Sequence, residues 1–490
     1  MTTKSKQLSI LLTLPALVPV ETHGGAEYIR YYVSTTSGND VTGEGTVSVP
    51  WKTVAHSLDA IASAQIERAT LCIAAGLYEE NCRIPGGIDL SGGYSAEDWT
   101  RDLSRFRSRV DGLVANAHSV IDGVDMGWDL IGADWDWTGP GLILEGTGEV
   151  EMRNCSVKWN GPPKNGGLGG GIVLFDEASG RFVDCAIELN SGGGWPDPYW
   201  EVGGGVKHLS SATAEFVRCM FVDNGATYGG AIYANKGTVI CRECVFKNNS
   251  AVWGASIYGE GDSNVIMSNC LFVQENLATT EISAHAGVMY NCTVDLRNSV
   301  VSVEFGGTIW NSIIRGSGVR YDGDIVYPIY YSNVQRLKGG LANIDVDPKF
   351  VDAANGDYRL LPSSPCIDSG TYTNAPLTDM DGKPRFVDIP VVGGAGHDNS
   401  VDMGCYELQL DQWYTPTPTM ILSPTSTPKS TETPYTPTQT PTSTNTPVPH
   451  TPTPIPRTPT PTPMLGDLNK DGAVNEKDLL LFLGRWHTGQ

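Results

Sequence analysis

The chain has few basic residues for its length. Of 490 residues, 33 are Lys or Arg and 55 are Asp or Glu, so the formal net charge is −22. Proteins that bind nucleic acid need a basic face, and an anionic membrane surface repels an acidic protein. We therefore expect neither partner. Long apolar runs are scarce too, and we expect no transmembrane segment.

The amino terminus carries the longest apolar run. Lys4 and Lys6 precede it, and the run covers residues 8–20. This length suits the hydrophobic region of a secretory signal and is too short to span a bilayer. We expect residues 1–26 to be a signal peptide and the protein to be secreted or held at the extracellular surface.

A short phrase returns along the middle of the chain. It reads NCSV at 154–157, DCAI at 184–187, RCMF at 218–221, ECVF at 243–246, NCLF at 269–272, NCTV at 291–294 and NSII at 311–314. The spacing of roughly 20 to 34 residues is typical of a solenoid. Each unit has three short apolar runs with Gly and Asn at the corners, and no stretch of helical periodicity. The sequence predicts an all-β fold, a right-handed parallel β-helix over residues 27–413.

Equal positions of successive coils should touch, because stacked strands lie about 4.8 Å apart. The repeated Cys then forms an inward row. Four of these Cys are followed five residues later by an Asn, which is expected to occupy the left-handed region at a turn and to bond to its own row. These residues are Asn160, Asn190, Asn224 and Asn249. The sequence leaves open whether the row holds free thiols or disulfides. Cys366 and Cys405 lie outside it and are candidates for a pair.

Two segments resemble a known family. The phrases YVSTTSGND and PWKTVAHSLDAI, from Tyr32 onward, resemble the start of secreted bacterial β-helix proteins of the pectin-lyase-like superfold. The resemblance implies a capping helix at residues 57–64. Residues 343–407, with DMDGKPR and VDMGCYE, resemble the closing segment of the same proteins, sometimes labelled a choice-of-anchor domain.

The carboxy-terminal part divides into a spacer and a small module. Residues 414–463 are almost pure Thr, Pro and Ser, which predicts a disordered linker without a core. Residues 464–490 contain D-x-N-x-D-G-x5-D before a helical pattern, an EF-hand-like loop-helix typical of Ca²⁺ sites. The expected ligands are Asp467, Asn469, Asp471, the backbone carbonyl of Ala473, Asn475 and Asp478. The module resembles one repeat of a type I dockerin, which implies a cohesin-like scaffold partner. Dockerins carry two such repeats and this chain has one.

The sequence shows no short catalytic signature, and the phrases of the polygalacturonase group are absent. Two insertions, at 128–137 and 192–205, combine indoles with carboxylates. Aromatic faces suit sugar rings, and carboxylates suit their hydroxyls. The expected sugar contacts are Trp135, Trp137, Trp195, Tyr199 and Trp200. The catalytic candidates are Asp134, Asp136, Asp197 and Glu201, with Lys207 and Arg218 for a lyase-type base. His208 is expected at the surface.

These features predict a carbohydrate-binding β-helix protein with a calcium-dependent docking tail. Whether it also degrades polysaccharide, as a lyase or a glycoside hydrolase, stays open. The alternative is a non-catalytic surface adhesin or structural repeat protein, because the FxxN phrases at 221–224 and 246–249 resemble repeats of bacterial polymorphic outer-membrane adhesins.

Overall fold

The computed structural model describes residues 21–23, 26–127, 139–162, 169–192, 202–274, 280–284, 286–296, 302–316, 328–337, 340–387 and 401–410. Within them the chain winds into a parallel β-helix with three short strands per coil. In one coil these are Ser179–Val183, Ala186–Glu188 and Val206–His208, and each pairs in parallel with its equivalent in the next coil. The predicted all-β parallel β-helix with three strands per coil is confirmed.

The strands form three columns, which we name A, B and C in chain order around a coil. Column A consists of Glu21–His23, Ala26–Val33, Ala69–Ala74, Ile88–Tyr94, Ser119–Asp122, Glu149–Arg153, Ser179–Val183, Thr213–Val217, Thr238–Arg242, Asn264–Ser268, Gly287–Tyr290, Thr308–Trp310 and Ile329–Tyr330. Column B consists of Val124–Gly127, Ser156–Lys158, Ala186–Glu188, Met220–Val222, Val245–Lys247, Leu271–Val273, Thr293–Asp295, Ile313–Arg315 and Asn333–Val334. Column C consists of Leu142–Leu144, Ile172–Leu174, Val206–His208, Ile232–Ala234, Ile257–Gly259, Thr280–Ala284 and Ser302–Phe305. Two longer strands, Gly76–Ile84 and Ser108–Ala115, join columns B and C at the amino-terminal end.

Rows of identical side chains fill the interior. Phe221 and Phe246 of column B stack with ring centroids 4.7 Å apart, and Phe246 stacks on Phe272 at 4.6 Å. The repeated cysteines form a second inward row, all buried: Cys155, Cys185, Cys219, Cys244, Cys270 and Cys292. The predicted inward position of this row is confirmed. Each coil buries its apolar face against its neighbours, as expected for a solenoid.

The asparagine row is present at the corner between columns B and C. Asn190 Nδ2 donates to Asn224 Oδ1 at 2.9 Å, and Asn224 Nδ2 donates to Asn249 Oδ1 at 3.0 Å. The predicted left-handed backbone at these residues is wrong. The positive φ falls one residue earlier, at 56° for Leu189 and 53° for Asp223. The preceding residue makes the turn, which leaves the Asn side chain free to point inward and bond along the row.

All eleven cysteines lie in the described part of the chain, where they are buried and form no disulfide. The proposed pair of Cys366 and Cys405 is wrong, because the two thiols pack in separate apolar clusters. The Cys366 sulfur accepts a hydrogen bond from Asn333 Nδ2 at 3.1 Å instead.

One α-helix, Val54–Ser63, lies beside the amino-terminal strands where residues 57–64 were predicted to be helical. Thr53 caps it, and the Glu80 carboxylate accepts hydrogen bonds from the first two backbone N–H groups, of Val54 at 3.0 Å and Ala55 at 2.8 Å. A carboxylate stabilises a helix at this end, where free N–H groups and the dipole are positive. Val54, Leu58 and Ile61 pack into the main core. The role of the helix as a cap stays a prediction.

The closing segment, residues 343–407, covers the outer face of column B at the carboxy-terminal coils. It contains the antiparallel pair Phe350–Asp352 and Asp357–Leu360, with the 3-10 helix Ala353–Asn355 between them. Leu271 and Ile313 point outward from column B and are buried beneath it. Outward positions earlier in the column are half-buried or exposed, such as Met220, Val222 and Lys247. The change to buried outward positions marks where the segment lies.

Candidate functional site

Most of the predicted site residues lie outside the described residues. These are Asp134, Trp135, Asp136, Trp137, Trp195, Asp197, Tyr199, Trp200 and Glu201, and the tail ligands Asp467, Asn469, Asp471, Ala473, Asn475 and Asp478. The strands that flank the two insertions are described. The first insertion follows Val124–Gly127 of column B and precedes Leu142–Leu144 of column C. The second follows Ala186–Glu188 and precedes Val206–His208, so both leave the solenoid at the B–C corner.

Lys207 lies on column C, in register between Val173 and Tyr233. It is only 3% exposed, and burial lowers the pKa of its ammonium group to about 8. A lysine with a pKa near neutrality can give up its proton more readily than a solvated one. The expectation for its neighbour is wrong: His208 points inward and is completely buried, and burial lowers its pKa to about 4.

Arg218 lies at the corner between columns A and B, away from Lys207. Its guanidinium makes a bidentate pair with Asp184, with Nε–Oδ1 at 2.7 Å and Nη2–Oδ2 at 2.9 Å, and approaches Glu243 at 3.8 Å. The hydrogen bonds that the guanidinium donates to Asp184 raise the pKa of Arg218. This arrangement favours a structural ion pair over proton abstraction, and the two cationic candidates do not form one site.

An aromatic and acidic patch lies beside the second insertion. It consists of Tyr228, Tyr233, Trp253, Tyr258, Asn235 and Glu260, and we call it the tyrosine surface. Tyr233 and Tyr258 occupy equal positions of successive coils, with parallel rings and centroids 6.0 Å apart. Tyr228 packs edgewise on Tyr258 at 5.1 Å. Trp253 is 41% exposed, which is high for an indole.

The tyrosine surface has one part before each glycine turn, Tyr228 and Trp253, and one part after it, Tyr233 and Tyr258. The tight turns bring these two parts together. Gly229 and Gly254 have φ of 66° and 62°, the left-handed region that favours glycine. A Cβ atom on Gly229 would lie 2.4 Å from the Ile232 carbonyl oxygen. The turn therefore folds the chain back immediately after Tyr228, and Tyr228 comes to lie against the outer face of column C.

Hydrogen bonds fix the polar part of the surface. The Glu260 carboxylate accepts from the Tyr233 hydroxyl and from Asn235 Nδ2, the latter at 3.1 Å. Burial, followed by the nearby Glu260 charge, raises the pKa of Tyr258, and burial also raises the pKa of Tyr233. Both phenols stay protonated at neutral pH and can donate hydrogen bonds. The surface thus offers aromatic rings, hydroxyl donors and one carboxylate acceptor.

The sequence contains a pattern that predicts this surface, but the prediction of sugar contacts used only the two insertions. In GGAIY and GASIY the Ile points into the core, so the following Tyr must point outward, because side chains alternate along a strand. The surface is also continuous with the second insertion. Val202, one residue after Glu201, forms a parallel bridge with Tyr228, which in turn bridges to Trp253.

A buried carboxylate lies beside the strand that precedes the first insertion in the chain. Asp111 is on the long strand Ser108–Ala115, whose Val110 pairs with Met126, so Asp111 is level with Gly127, the last described residue before the insertion. Burial, with a contribution from the Glu79 charge, raises its pKa to about 6. An acid that keeps its proton near neutrality is typical of a general acid.

No group of three or more His, Cys, Asp or Glu side chains able to hold a metal ion occurs among the described residues. Within the same residues, no helix is long and apolar enough to cross a membrane.

Residues 94–301 match the family model for a right handed beta helix region. Together with the parallel columns, this match supports a right-handed β-helix. No curated protein matches the chain. One solved structure, "The complex structure of XylC with xylose", shares 11% sequence identity, with 78% of this chain and 98% of that chain covered and a TM-score of 0.27. A likeness at this level supports no inference about ligand or activity.

Proposed function

We propose that the protein binds a polysaccharide at the tyrosine surface and the adjoining B–C insertions. The observation that carries the proposal is the exposed indole of Trp253 beside Tyr228, next to a Glu260 carboxylate already ordered by Tyr233 and Asn235. Sugar rings pack their C–H faces on aromatic planes, while their hydroxyl groups need acceptors fixed nearby. Since Tyr228, Tyr233 and Tyr258 pack on one another, the exposed indole of Trp253 is the main platform for a ligand, with Tyr228 beside it.

The position of the second insertion supports a common site. Because Val202 shares a row with Tyr228 and Trp253, the chain that carries Trp195, Tyr199 and Trp200 rejoins the solenoid at the same patch. The predicted sugar contacts would then extend the tyrosine surface.

A polysaccharide panel tests the proposal. We expect the full chain to bind at least one plant or bacterial polysaccharide, and the Trp253→Ala/Tyr228→Ala variant to lose about tenfold or more in affinity, as for a lost aromatic hot spot. The matched control is Phe386→Ala, since Phe386 is similarly exposed at 43% but lies on the closing segment. The proposal is wrong if no polysaccharide binds, or if both variants bind as well as the wild type.

A catalytic role would use the ionisable groups around the same corner. For hydrolysis, Asp111 is the described candidate for the acid, and for elimination Lys207 is the candidate for the base. Release of reducing ends identifies a hydrolase, and release of unsaturated sugar identifies a lyase. Asp111→Asn should abolish the first activity and Lys207→Gln the second. Binding without either product assigns the protein to the non-catalytic class.

The phrases that resemble adhesin repeats do not favour that class by themselves. Phe221 and Phe246 are core residues, and Asn224 and Asn249 belong to the buried row. These residues explain coil packing, so the resemblance reflects the shared fold.

We also propose that residues 464–490 bind Ca²⁺ and dock onto a cohesin-like partner, and that the protein acts outside the cell. The loop spacing and the amino-terminal run support this. Calorimetric titration of the full chain with calcium should show one site that is lost in Asp467→Ala/Asp471→Ala. Absence of that site, or equal binding by the variant, would contradict the assignment.

A further inference from the structure

A cavity of about 470 Å³ lies where the closing segment meets the last coils of column B. Its size falls within the range of small-molecule sites. Four charged residues line it, Asp295, Arg315, Asp347 and Lys349, together with the apolar side chains of Phe350, Ala353, Ala354 and Leu361. It shares no residue with the tyrosine surface, which lies on column C.

The charges in the cavity balance, with two cations and two carboxylates. Asp295 and Arg315 are register partners in successive coils. The Tyr358 hydroxyl donates to Asp295 Oδ2 at 2.9 Å and fixes that carboxylate. Lys349 Nζ donates to the Ser363 carbonyl oxygen at 2.9 Å, which leaves two further N–H donors on its ammonium group.

A ligand can displace the ion pair between Arg315 and Asp347 at little cost in free energy. Arg315 Nη1 approaches Asp347 Oδ1 at 3.0 Å, but the side chains are 36% and 74% exposed. Exposed pairs contribute little stability. A ligand carboxylate can replace Asp347 on the planar guanidinium, which suits bidentate binding of a carboxylate. Asp347 is then available to a cationic group of the same ligand.

We propose that this cavity binds a zwitterionic α-amino acid with an apolar side chain. Its carboxylate pairs with Arg315 and Lys349, and its ammonium group pairs with Asp295 and Asp347. Its side chain lies against Phe350 and Leu361. A simple anion would meet the two carboxylates, and a simple amine would meet the two cations, so only a ligand with both charges satisfies the cavity. The proposal does not depend on polysaccharide binding.

Calorimetry on the full chain with leucine tests it, with two analogues as probes of charge. Isocaproate lacks the ammonium group and isoamylamine lacks the carboxylate. We expect leucine to bind and each analogue to bind about tenfold more weakly or worse, because a lost charged hydrogen bond leaves its partner unpaired. No binding of leucine, or equal binding of either analogue, would overturn the proposal.

Two variants separate a zwitterion site from an anion site. Arg315→Gln should weaken leucine binding by about tenfold, whereas Arg336→Gln, a matched change at an exposed arginine outside the cavity lining, should leave it unchanged. Asp347→Asn should weaken leucine binding and strengthen isocaproate binding. Since Asp347 is largely exposed, this variant should fold even if Arg315→Gln does not. Tighter leucine binding by Asp347→Asn would identify an anion site and reject the amino acid.

Discussion

At the scale of single residues, the buried asparagines at the B–C corner have the most demanding positions. Asn224 is fully buried and uses both ends of its amide. Its Nδ2 donates to the Ile187 carbonyl at 2.8 Å and to Asn249 Oδ1, while its Oδ1 accepts from the backbone and side chain of Asn190. Asn190 and Asn224 therefore satisfy polar groups in both neighbouring coils, where water has no access.

Asn224→Ala should lower the free energy of unfolding by about 3 kcal/mol, because it leaves several buried polar groups without a partner. Denaturant unfolding measures the change. Asn116→Ala, at an exposed asparagine, is the matched control and should change stability by less than about 0.5 kcal/mol. Equal effects of the two changes would show that the row does not contribute as described.

We expect the cysteine row to tolerate substitution by an apolar residue better than substitution by a charged residue. Cys219→Asp should lower the free energy of unfolding by several kcal/mol and prevent stable folding, because it buries a carboxylate without a cation in the core. Cys219→Ala should fold with a modest loss. A melting temperature for Cys219→Asp equal to that of Cys219→Ala would remove this residue from the core.

At the scale of elements, the closing segment is held by a buried charged cluster. Arg385 is fully buried and donates to Asn269 Oδ1 at 2.8 Å, to the Cys405 carbonyl at 2.9 Å and to Glu407 Oε2 at 3.3 Å. Glu407 and Asp402 are also buried, so two carboxylates share one cation. Burial raises the pKa of Asp402 to about 7 and that of Glu407 well above its usual range. Burial therefore favours the protonated form of both carboxyl groups.

This cluster makes stability depend on pH in a defined direction. A carboxyl with a raised pKa in the folded state stabilises the fold below its unfolded pKa of about 4, and the effect is lost as pH rises through about 7. The melting temperature should therefore fall between about pH 5 and about pH 9. Glu407→Gln, which imitates the protonated acid, should fold and show a smaller fall. A variant with an unchanged pH profile would assign the dependence to other groups.

The coils could be predicted from the sequence because each repeat places the same residue type at the same position. The corner Asn, the Cys and the GGAIY phrase all follow from that period. The tyrosine surface could not be predicted as a unit, because it joins Tyr228 to Tyr258 across a glycine turn from different coils. The residue with a left-handed backbone was predicted one position too late. Only the residue before the Asn can make the turn while the Asn amide points inward. His208 was misplaced because histidine is more often exposed, whereas strand alternation puts it inward beside Val206.

At the scale of the whole molecule, eleven buried thiols report on opening of the solenoid. Burial raises the pKa of Cys82 and Cys405 to about 12, so these two thiols carry little thiolate at neutral pH, and burial keeps a reagent away from all eleven. Each coil contacts only its neighbours, and opening should begin at the ends.

A thiol-alkylating reagent at neutral pH should leave all eleven cysteines unmodified in the native protein. In intermediate denaturant, Cys72 and Cys82 near the amino-terminal end should react before Cys219 in the middle of the row. Peptide mass spectrometry reads the order. Simultaneous labelling of all three would instead indicate that the solenoid unfolds as a single cooperative unit.

The asparagine row also has a direction. The backbone N–H and Nδ2 of Asn190 donate to Asn224 Oδ1, and those of Asn224 donate to Asn249 Oδ1, so each amide oxygen that accepts along the row lies 25 to 34 residues later in the chain. Nδ2 of each also donates to a carbonyl of the preceding coil, that of Val157 or Ile187. Gln274 ends the series by donating to the Asn249 carbonyl at 2.8 Å. Because synthesis delivers the amino-terminal coils first, a newly made coil stays incomplete until the next one emerges. We therefore expect the corner of each coil to be completed only when the following coil has folded onto it.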